Sequence, residues 1–133
     1  MTGEEIQALL GAQRAFFNSG ATLSVDFRIK SLRRLYDAVK AHEGDIHAAL
    51  TADLGKSAYE GFMCESGLAL TEISYMIKHT RKLARRTTVR TPLAQFASHS
   101  FTQAMPYGNT LIMSPWNYPF LLTIDPLADA IAA

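Results

Sequence analysis

Apolar residues recur every three or four positions through the first 83 residues, which is the spacing of one buried face of an α-helix. Stop signals at Asn18–Gly20, near Gly44 and at Gly55 divide this pattern into segments. The sequence therefore predicts four amphipathic helices, which run from Glu4 to Phe17, from Ser24 to about Gly44, from Asp45 to Gly55 and, over about six turns, from Ser57 onward.

Local signals indicate where the later helices begin. Asp45 is a suitable N-cap for the third helix, and Gly55 suits the left-handed position that follows its last turn. Ser57 and Glu60 have the spacing of a capping box, in which a hydroxyl and a carboxylate each accept a hydrogen bond from a free backbone amide. The stripe of the fourth helix predicts five buried side chains: Phe62, Ala69, Ile73, Met76 and Leu83.

The character of the sequence changes after Arg86. Nearby β-branched residues, Pro92 and a loose alternation of polar and apolar positions predict a β-hairpin arm over residues 91–106. Thr110–Met113 is a short apolar run that suits a strand buried on both faces. An apolar helix is predicted from Phe120 to Ala133, and it reaches the last residue without a C-cap, as a helix that is cut off does.

Composition and charge exclude several classes of function. The formal net charge is +1, which gives no reason to expect nucleic acid or an anionic membrane as a partner. The single cysteine, Cys64, excludes an internal disulfide framework and a cysteine-based zinc site. The first residues lack the pattern of a signal peptide, and no apolar stretch approaches the roughly twenty residues of a membrane span. We expect a soluble, cytoplasmic protein.

Two short motifs resemble binding sites but fail on spacing. Gly55-Lys56-Ser57 resembles the end of a phosphate-binding loop, yet the glycine required five residues earlier is Leu50. His42 and His47 are five positions apart, which places them about 140° apart around a helix, so they cannot face one zinc ion. We interpret Gly55 as a helix stop and both histidines as solvent-exposed.

Basic residues cluster near the end of the fourth helix, at Lys78, Arg81, Lys82, Arg85, Arg86 and Arg90. No aromatic residues alternate with them to stack on bases, and cations stabilise the C-terminal end of a helix, so we interpret the cluster as a solvated face. Cys64 has no histidine at catalytic spacing, which predicts a packed or half-buried thiol rather than a nucleophile.

The segment Ser114-Pro115-Trp116-Asn117-Tyr118-Pro119 is a sharp turn between the predicted strand and the last helix. Open α/β sheets present ligand-binding groups at this place, at the carboxyl end of a strand. Two interpretations remain open on these residues alone. In one, Asn117 is an N-cap, Trp116 a core anchor and Pro119 a helix starter; in the other, the turn is a binding site.

This turn and its flanks resemble the aldehyde dehydrogenase family, and the resemblance covers essentially the whole chain. Trp116 to Phe120 is most similar to the class-3 or fatty-aldehyde branch, whose members favour aliphatic and aromatic aldehydes. The other similar positions are Phe27-Arg28-Ile29, Leu32, Ala49-Leu50, Asp53 to Ser57, Glu60, Glu65, Pro106-Tyr107-Gly108, Pro126-Leu127 and Ala130 to Ala133.

The resemblance implies an α/β fold, namely the N-terminal part of the aldehyde dehydrogenase fold. Its parts are an N-terminal helical segment at 1–90, a β-hairpin arm of the oligomerisation type at 91–106, and a truncated first strand-helix unit of the Rossmann-like NAD(P)-binding domain at 107–133. It also implies NAD or NADP as the cofactor, a small-molecule aldehyde as the substrate and a homo-oligomer formed through the arm.

The resemblance further assigns roles to residues of the turn. Asn117 matches the asparagine whose side-chain amide donates a hydrogen bond to the oxyanion of the tetrahedral intermediate, and a neutral amide can do this without titrating. Tyr118 matches a residue that faces the substrate entrance. The residues that match the nicotinamide-ribose side of the cofactor pocket are Met113, Ser114, Pro115 and Trp116.

The family mechanism also needs a cysteine nucleophile, a glutamate base, a lysine at the adenosine ribose and a glycine turn at the pyrophosphate, and none can be matched in this sequence. We therefore expect no dehydrogenase activity from this chain alone. Asn109 and Asp129 depart from the family pattern, which usually has an apolar and a small residue there. The alternative function is a non-catalytic helical module that pairs with full-length subunits through the arm.

Overall fold

The computed structural model describes all residues from Met1 to Ala133 and is mainly helical. Its elements, in chain order, are α1 (Gly3–Asn18), α2 (Val25–Ala41), α3 (Glu43–Leu54), α4 (Ala58–Gly61), a π-helical segment (Phe62–Ser66), α5 (Gly67–Leu83), β1 (Thr87–Val89), β2 (Ser100–Thr102) and α6 (Leu121–Ala132). The four helical regions that the sequence predicts before residue 84 are confirmed, and the fourth of them is divided by the π-helical segment.

The core lies where α2, α5 and α6 meet. Leu32, Ile73 and Ala128, one from each helix, have no exposed surface. Only 13 of the 133 residues are buried, so this small core leaves many apolar side chains at the surface. Apolar burial is the main force that holds such a layer of helices together.

The predicted stripe of the fourth helix is only partly correct. Ala69 and Ile73 are fully buried, whereas Phe62 and Leu83 are exposed and Leu70, which the stripe omits, is buried. The π-helical segment adds one residue to a turn, and that rotates the preceding residues by about 100° relative to a regular helix. Phe62 therefore falls off the face that the helical spacing assigns to it.

The observed helix starts correct two predictions. α3 begins at Glu43, so Gly44 lies inside the helix and Asp45 lies in its first turn instead of at the N-cap. The Asp45 carboxylate contacts His42 Nδ1 at 3.0 Å. At Ser57 only half of the predicted capping box forms: the hydroxyl accepts from the Glu60 amide at 3.2 Å.

The π-helical segment depends on Gly67. The Gly67 amide donates to the Phe62 carbonyl oxygen, five residues back. A Cβ at position 67 would lie only 2.7 Å from that oxygen, so a side chain there is excluded. The wide turn buries Glu65 and Ser66 completely, and the Ser66 hydroxyl lies 2.9 Å from His47 Nε2. His47 is therefore half-buried, and its prediction as a solvent-exposed histidine is wrong.

An antiparallel pair of strands forms near the predicted arm, but only β2 lies within residues 91–106, and β1 lies in the predicted helical segment at 1–90. Thr87 of β1 pairs with Thr102 of β2, and Val89 pairs with Ser100. β1 begins four residues before the predicted boundary of the arm at 91. Between the strands, Leu93 and Phe96 are almost fully exposed at 88% and 83%.

The predicted strand at Thr110–Met113 does not form. These residues are non-regular, with Leu111 and Met113 more than four-fifths exposed. A strand buried on both faces needs hydrogen-bonding neighbours at its edges, and the only sheet of this chain is the β1–β2 pair. The predicted last helix is confirmed as α6, and Arg28 Nη1 caps its C-terminal end by donating to the Ala132 carbonyl at 2.7 Å.

Replacing Gly67 with alanine should destabilise the chain by about 2 kcal/mol or more, because the added Cβ meets the Phe62 carbonyl and displaces the buried Glu65. Gly44→Ala is the matched control, since Gly44 is also helical and nothing lies near its Cβ position. The control should be neutral or stabilising by roughly 0.5–1 kcal/mol. Urea unfolding followed by circular dichroism measures both, and equal effects of the two variants contradict this account of the π-helical segment.

Candidate functional site

The site residues that the sequence predicts lie together on an exposed turn between the arm and α6. Trp116 is 85% and Met113 is 83% exposed, and Tyr118 is 37% exposed. Asn117 is also exposed. The turn is therefore open to a ligand on its outer side.

A lysine from the helical layer holds the inner side of this turn. Lys56 Nζ donates to the backbone carbonyl oxygen of Asn117 at 2.9 Å and to Glu65 Oε1 at 2.5 Å. The same nitrogen lies 4.1 Å from the centroid of the Tyr118 ring, within the range of a cation–π interaction. Lys56 thus contacts the backbone of one predicted site residue and the side chain of the next.

Glu65 caps the helix that follows the turn. Its second oxygen, Oε2, accepts from the Phe120 amide at 3.1 Å and from the Leu121 amide at 2.9 Å. A carboxylate at this position satisfies two free amides and also interacts favourably with the positive end of the helix dipole. Glu65 is fully buried, and the Lys56 ammonium together with these two amides compensates its charge.

The start of the turn is fixed by Thr123 on α6. The Thr123 hydroxyl lies 2.6 Å from the Pro119 carbonyl oxygen and 2.7 Å from the Ser114 hydroxyl. It can donate to the first and accept from the second. Ser114 is therefore tied to α6, whereas Asn117, three residues later, is tied to Lys56 in the connection between α3 and α4.

These contacts test the structural interpretation of Asn117 and Trp116 within this chain. Asn117 does not cap α6, whose N-cap is Phe120 and whose first amides bind Glu65 instead. Trp116 is exposed, so it is not a core anchor. Neither of these two structural roles forms in this chain, and the role of both residues in a binding site stays a prediction.

Lys56 and Glu65 are the residues of this site that motif spacing misses. Gly55-Lys56-Ser57 suggests a phosphate-binding loop, which its spacing then excludes, and in the structure the Lys56 ammonium binds a carboxylate and a carbonyl. Glu65 lies on a predicted helix, where a charged residue is ordinarily solvated. The family resemblance includes Glu65 and the segment that contains Lys56 but assigns them no role. Motif spacing misses them because their contacts with the turn span 55 to 61 residues of the chain.

Two clefts of this chain lie away from the turn, whereas a third, lined by α3, reaches Pro119 and Phe120. One of about 470 Å³ is lined by α1, α2, α6 and residues 106–112, and includes Phe17, Arg28 and Ile112. Another of about 230 Å³ lies between the arm and the ends of α5 and α6. Neither includes residues 113–118, so these side chains form an open face in this chain and do not line a cavity.

Other candidate groups are accounted for by simple contacts. Cys64 is half-buried in the π-helical segment, as expected for a packed thiol. The residues of the basic cluster are exposed, and Arg81 pairs with Asp26. No three histidine, cysteine, aspartate or glutamate side chains are arranged to hold a metal ion. None of the helices has both the length and the apolar character needed to cross a membrane.

Three carboxyl groups meet on the α5–α6 face. Burial, followed by the charges of Glu72 and Asp129, raises the pKa of Asp125 to about 6. Burial and the nearby Asp129 also raise the pKa of Glu72. The Asp125 Oδ1 atom is buried and has no hydrogen-bond partner. Asp129 is exposed, and its charge increases this repulsion.

Comparison with known proteins identifies the same family as the turn does. The model of the aldehyde dehydrogenase family matches residues 1–133. The 4,4'-diaponeurosporen-aldehyde dehydrogenase of Staphylococcus aureus is 41% identical over 120 residues, which are 90% of this chain and 26% of that protein. The dimeric NADP-preferring aldehyde dehydrogenase of Canis lupus familiaris is 41% identical over 130 residues, 97% of this chain and 28% of that protein.

A solved structure shares the fold. The substrate-bound state of Staphylococcus aureus AldH superposes with a TM-score of 0.91 at 38% sequence identity, over 99% of this chain and 28% of that one. The chain thus spans about a quarter of the length of the relatives that it matches.

The three-carboxyl cluster predicts a stability that falls as pH rises. The folded-state pKa of Asp125, about 6, lies above its usual 3.8, so between these values the folded state binds more protons than the unfolded state. Asp125→Asn should therefore raise stability by about 1 kcal/mol at pH 7.5, after allowance for solvent screening, and by much less at pH 4. Thermal unfolding at both pH values measures this, with Asp37→Asn, at an exposed position of α2, as the control. A gain that is equal at the two pH values contradicts the prediction.

Proposed function

This chain belongs to the aldehyde dehydrogenase family, and from that premise we propose that it is the N-terminal segment of an NAD(P)-dependent enzyme. The enzyme oxidises aliphatic or aromatic aldehydes to carboxylic acids. The names of the relatives, a 4,4'-diaponeurosporen-aldehyde dehydrogenase and an NADP-preferring aldehyde dehydrogenase, are compatible with that substrate class and cofactor. We place the enzyme in the cytoplasm, on the sequence argument from its single cysteine.

The observation that supports this function best is the exposed Asn117 on a turn whose backbone is fixed from inside. Its side-chain amide is a neutral donor, and its backbone carbonyl is held by Lys56. A donor of this kind stabilises the negative oxygen that develops when a thiolate adds to an aldehyde. Removing one such donor typically lowers turnover by roughly 10²–10³-fold.

The residues before Asn117 suit one wall of a cofactor pocket. Met113, Ser114, Pro115 and Trp116 form an exposed, non-regular segment whose apolar side chains can lie against a nicotinamide and its ribose. NAD(P) supplies the hydride acceptor for the oxidation when it is bound. The N-terminal end of α6 is already occupied by the Glu65 carboxylate, so it is not the site that takes the pyrophosphate. Tyr118 lies beside this wall, and we assign it to the substrate entrance.

We further propose that the chain alone does not oxidise aldehydes. Its single cysteine, Cys64, lies half-buried within the π-helical segment of the helical layer. Neither sequence nor structure gives Cys64 a histidine or lysine partner that activates a thiol as a nucleophile. The nucleophile and the base of the reaction are therefore expected elsewhere in the full enzyme.

A second candidate function rests on the arm. Leu93 and Phe96 are almost fully exposed between β1 and β2, where their apolar side chains can pack against a partner. The open edges of the two strands can also accept another strand. These features favour a homo-oligomer formed through residues 91–106, or pairing of this chain with full-length subunits as a non-catalytic module. Size measurement of a mixture with an intact relative distinguishes the two.

Asn117 can be tested in a chimera of this chain with the remaining three quarters of the Staphylococcus aureus relative. Asn117→Ala should lower kcat for an aldehyde by about 100-fold or more and leave the affinity for NAD(P) nearly unchanged, because the amide acts on the reacting oxygen. Asn18→Ala, at the exposed end of α1, is the control and should have no effect. Equal losses of kcat and cofactor affinity contradict the oxyanion role, and aldehyde-dependent NADH formation by the 133-residue chain alone contradicts its inactivity.

A further inference from the structure

Three of the polar contacts that fix the predicted site come from one buried ion pair. Lys56 is 8% exposed and Glu65 is fully buried. Beyond each other, they bind three backbone groups, the Asn117 carbonyl and the Phe120 and Leu121 amides. All three groups belong to the five residues that carry Asn117 into α6. The pair is thus directed at this turn and not at the core around Leu32 and Ile73.

We propose that Lys56 and Glu65 are positioning residues, which fix the orientation of Asn117 through its backbone. That the oriented Asn117 side chain serves catalysis rests on the proposed function, whereas its positioning by Lys56 and Glu65 does not. The Asn117 carbonyl is held at the start of residues 117–121, and the amides of Phe120 and Leu121 are held at the end of this stretch. Such a constraint on both sides limits the backbone angles of the residues between, and so the direction in which the Asn117 side chain projects.

Energetic arguments favour a positioning role over a purely stabilising one. Burial of an ion pair costs desolvation energy that its attraction and hydrogen bonds only partly recover, and well-packed apolar pairs are often as stable. Loss of one partner, in contrast, leaves a buried charge without compensation. A pair that served only stability could therefore be replaced by two apolar residues without a local effect. A pair that positions the turn could not, because apolar side chains cannot bind the three backbone groups.

The π-helical segment supplies the direction that this role requires. Glu65 lies within Phe62–Ser66, the wide π-helical turn that the absence of a side chain at Gly67 permits, and this turn sets the orientation of Glu65. A regular helix would rotate Glu65 by about 100° relative to the residues that follow. Wide turns of this kind are frequent at functional sites because they redirect one side chain without ending the helix.

The test separates stability from local order in the 133-residue chain. Three variants are compared with the wild type, Lys56→Met, Glu65→Leu and the double variant with both changes. Urea unfolding reports global stability. Amide hydrogen exchange at Phe120 and Leu121 reports the turn, with the Leu70 amide in the core as the internal control. Trp116 is the only tryptophan, so its fluorescence anisotropy reports the mobility of the residue next to Asn117.

We expect the single variants to lose stability and the double variant to regain most of it. In the double variant, exchange at Phe120 and Leu121 should still be about tenfold faster or more than in the wild type, Trp116 anisotropy should be lower, and exchange at Leu70 should be unchanged. Wild-type exchange at the turn in the double variant overturns the proposal. Faster exchange at the turn and at Leu70 to the same extent also overturns it, because that result reports global unfolding.

A conservative variant keeps the proposal testable if the double variant does not fold. Glu65→Gln retains an oxygen that can accept from the Phe120 and Leu121 amides, so it should restore slow exchange there relative to Glu65→Leu. Failure of this rescue in folded protein contradicts the proposal. In the chimera described above, Lys56→Met should lower kcat on the order of 10- to 100-fold with little change in the KM for NAD(P). If Lys56→Met changes the mobility of the turn but not kcat, the proposed oxyanion role of Asn117 is refuted. The proposal that Lys56 and Glu65 position Asn117 is then still supported.

Discussion

The completely buried carboxylate of Glu65 is the constraint on which the rest of this structure depends. A buried carboxylate is tolerated only when its charge is compensated, and here one ammonium and two backbone amides do so. Those three donors come from two separate segments: Lys56 follows the Gly55 helix stop, and the adjacent residues Phe120 and Leu121 lie where α6 begins. Satisfying one carboxylate therefore joins α3, the π-helical segment and α6 at the point where the exposed turn ends.

The helical layer holds α6 at both ends with charges of the appropriate sign. Glu65 binds its N-terminal amides, and Arg28 of α2 donates to the carbonyls of Ala132 and Ala133 at its C-terminal end. Both charges also interact favourably with the helix dipole. Apolar contacts of Ala128 and Ala132 with the core then fix the face that α6 presents. The turn that carries Asn117 is consequently supported by a helix that packs in the core.

Sequence reasoning predicted local features well where a short-range rule applies. The helical spacing located α1, α2, α3 and α6, and the left-handed Gly55 ends α3 as predicted. It was wrong where a contact from elsewhere competes with the local rule. Asp45 is not an N-cap because α3 starts two residues earlier. His47 is half-buried because its ring lies within hydrogen-bonding distance of the buried Ser66 hydroxyl. The run Thr110–Met113 has the composition of a strand but has no neighbouring strand to pair with, so it stays non-regular.

The sequence by itself determined the helical layer, the family and the residues of the turn, because spacing and motif are properties of neighbouring positions along the chain. It left open whether Asn117 and Trp116 are structural or functional. The tertiary structure decided that both are exposed and that another residue caps α6. It also revealed the Lys56–Glu65 pair, whose partners lie 55 to 61 residues away and whose geometry requires a π-helical turn. Only a folded chain brings such groups within hydrogen-bonding distance, so no local pattern in the sequence records them.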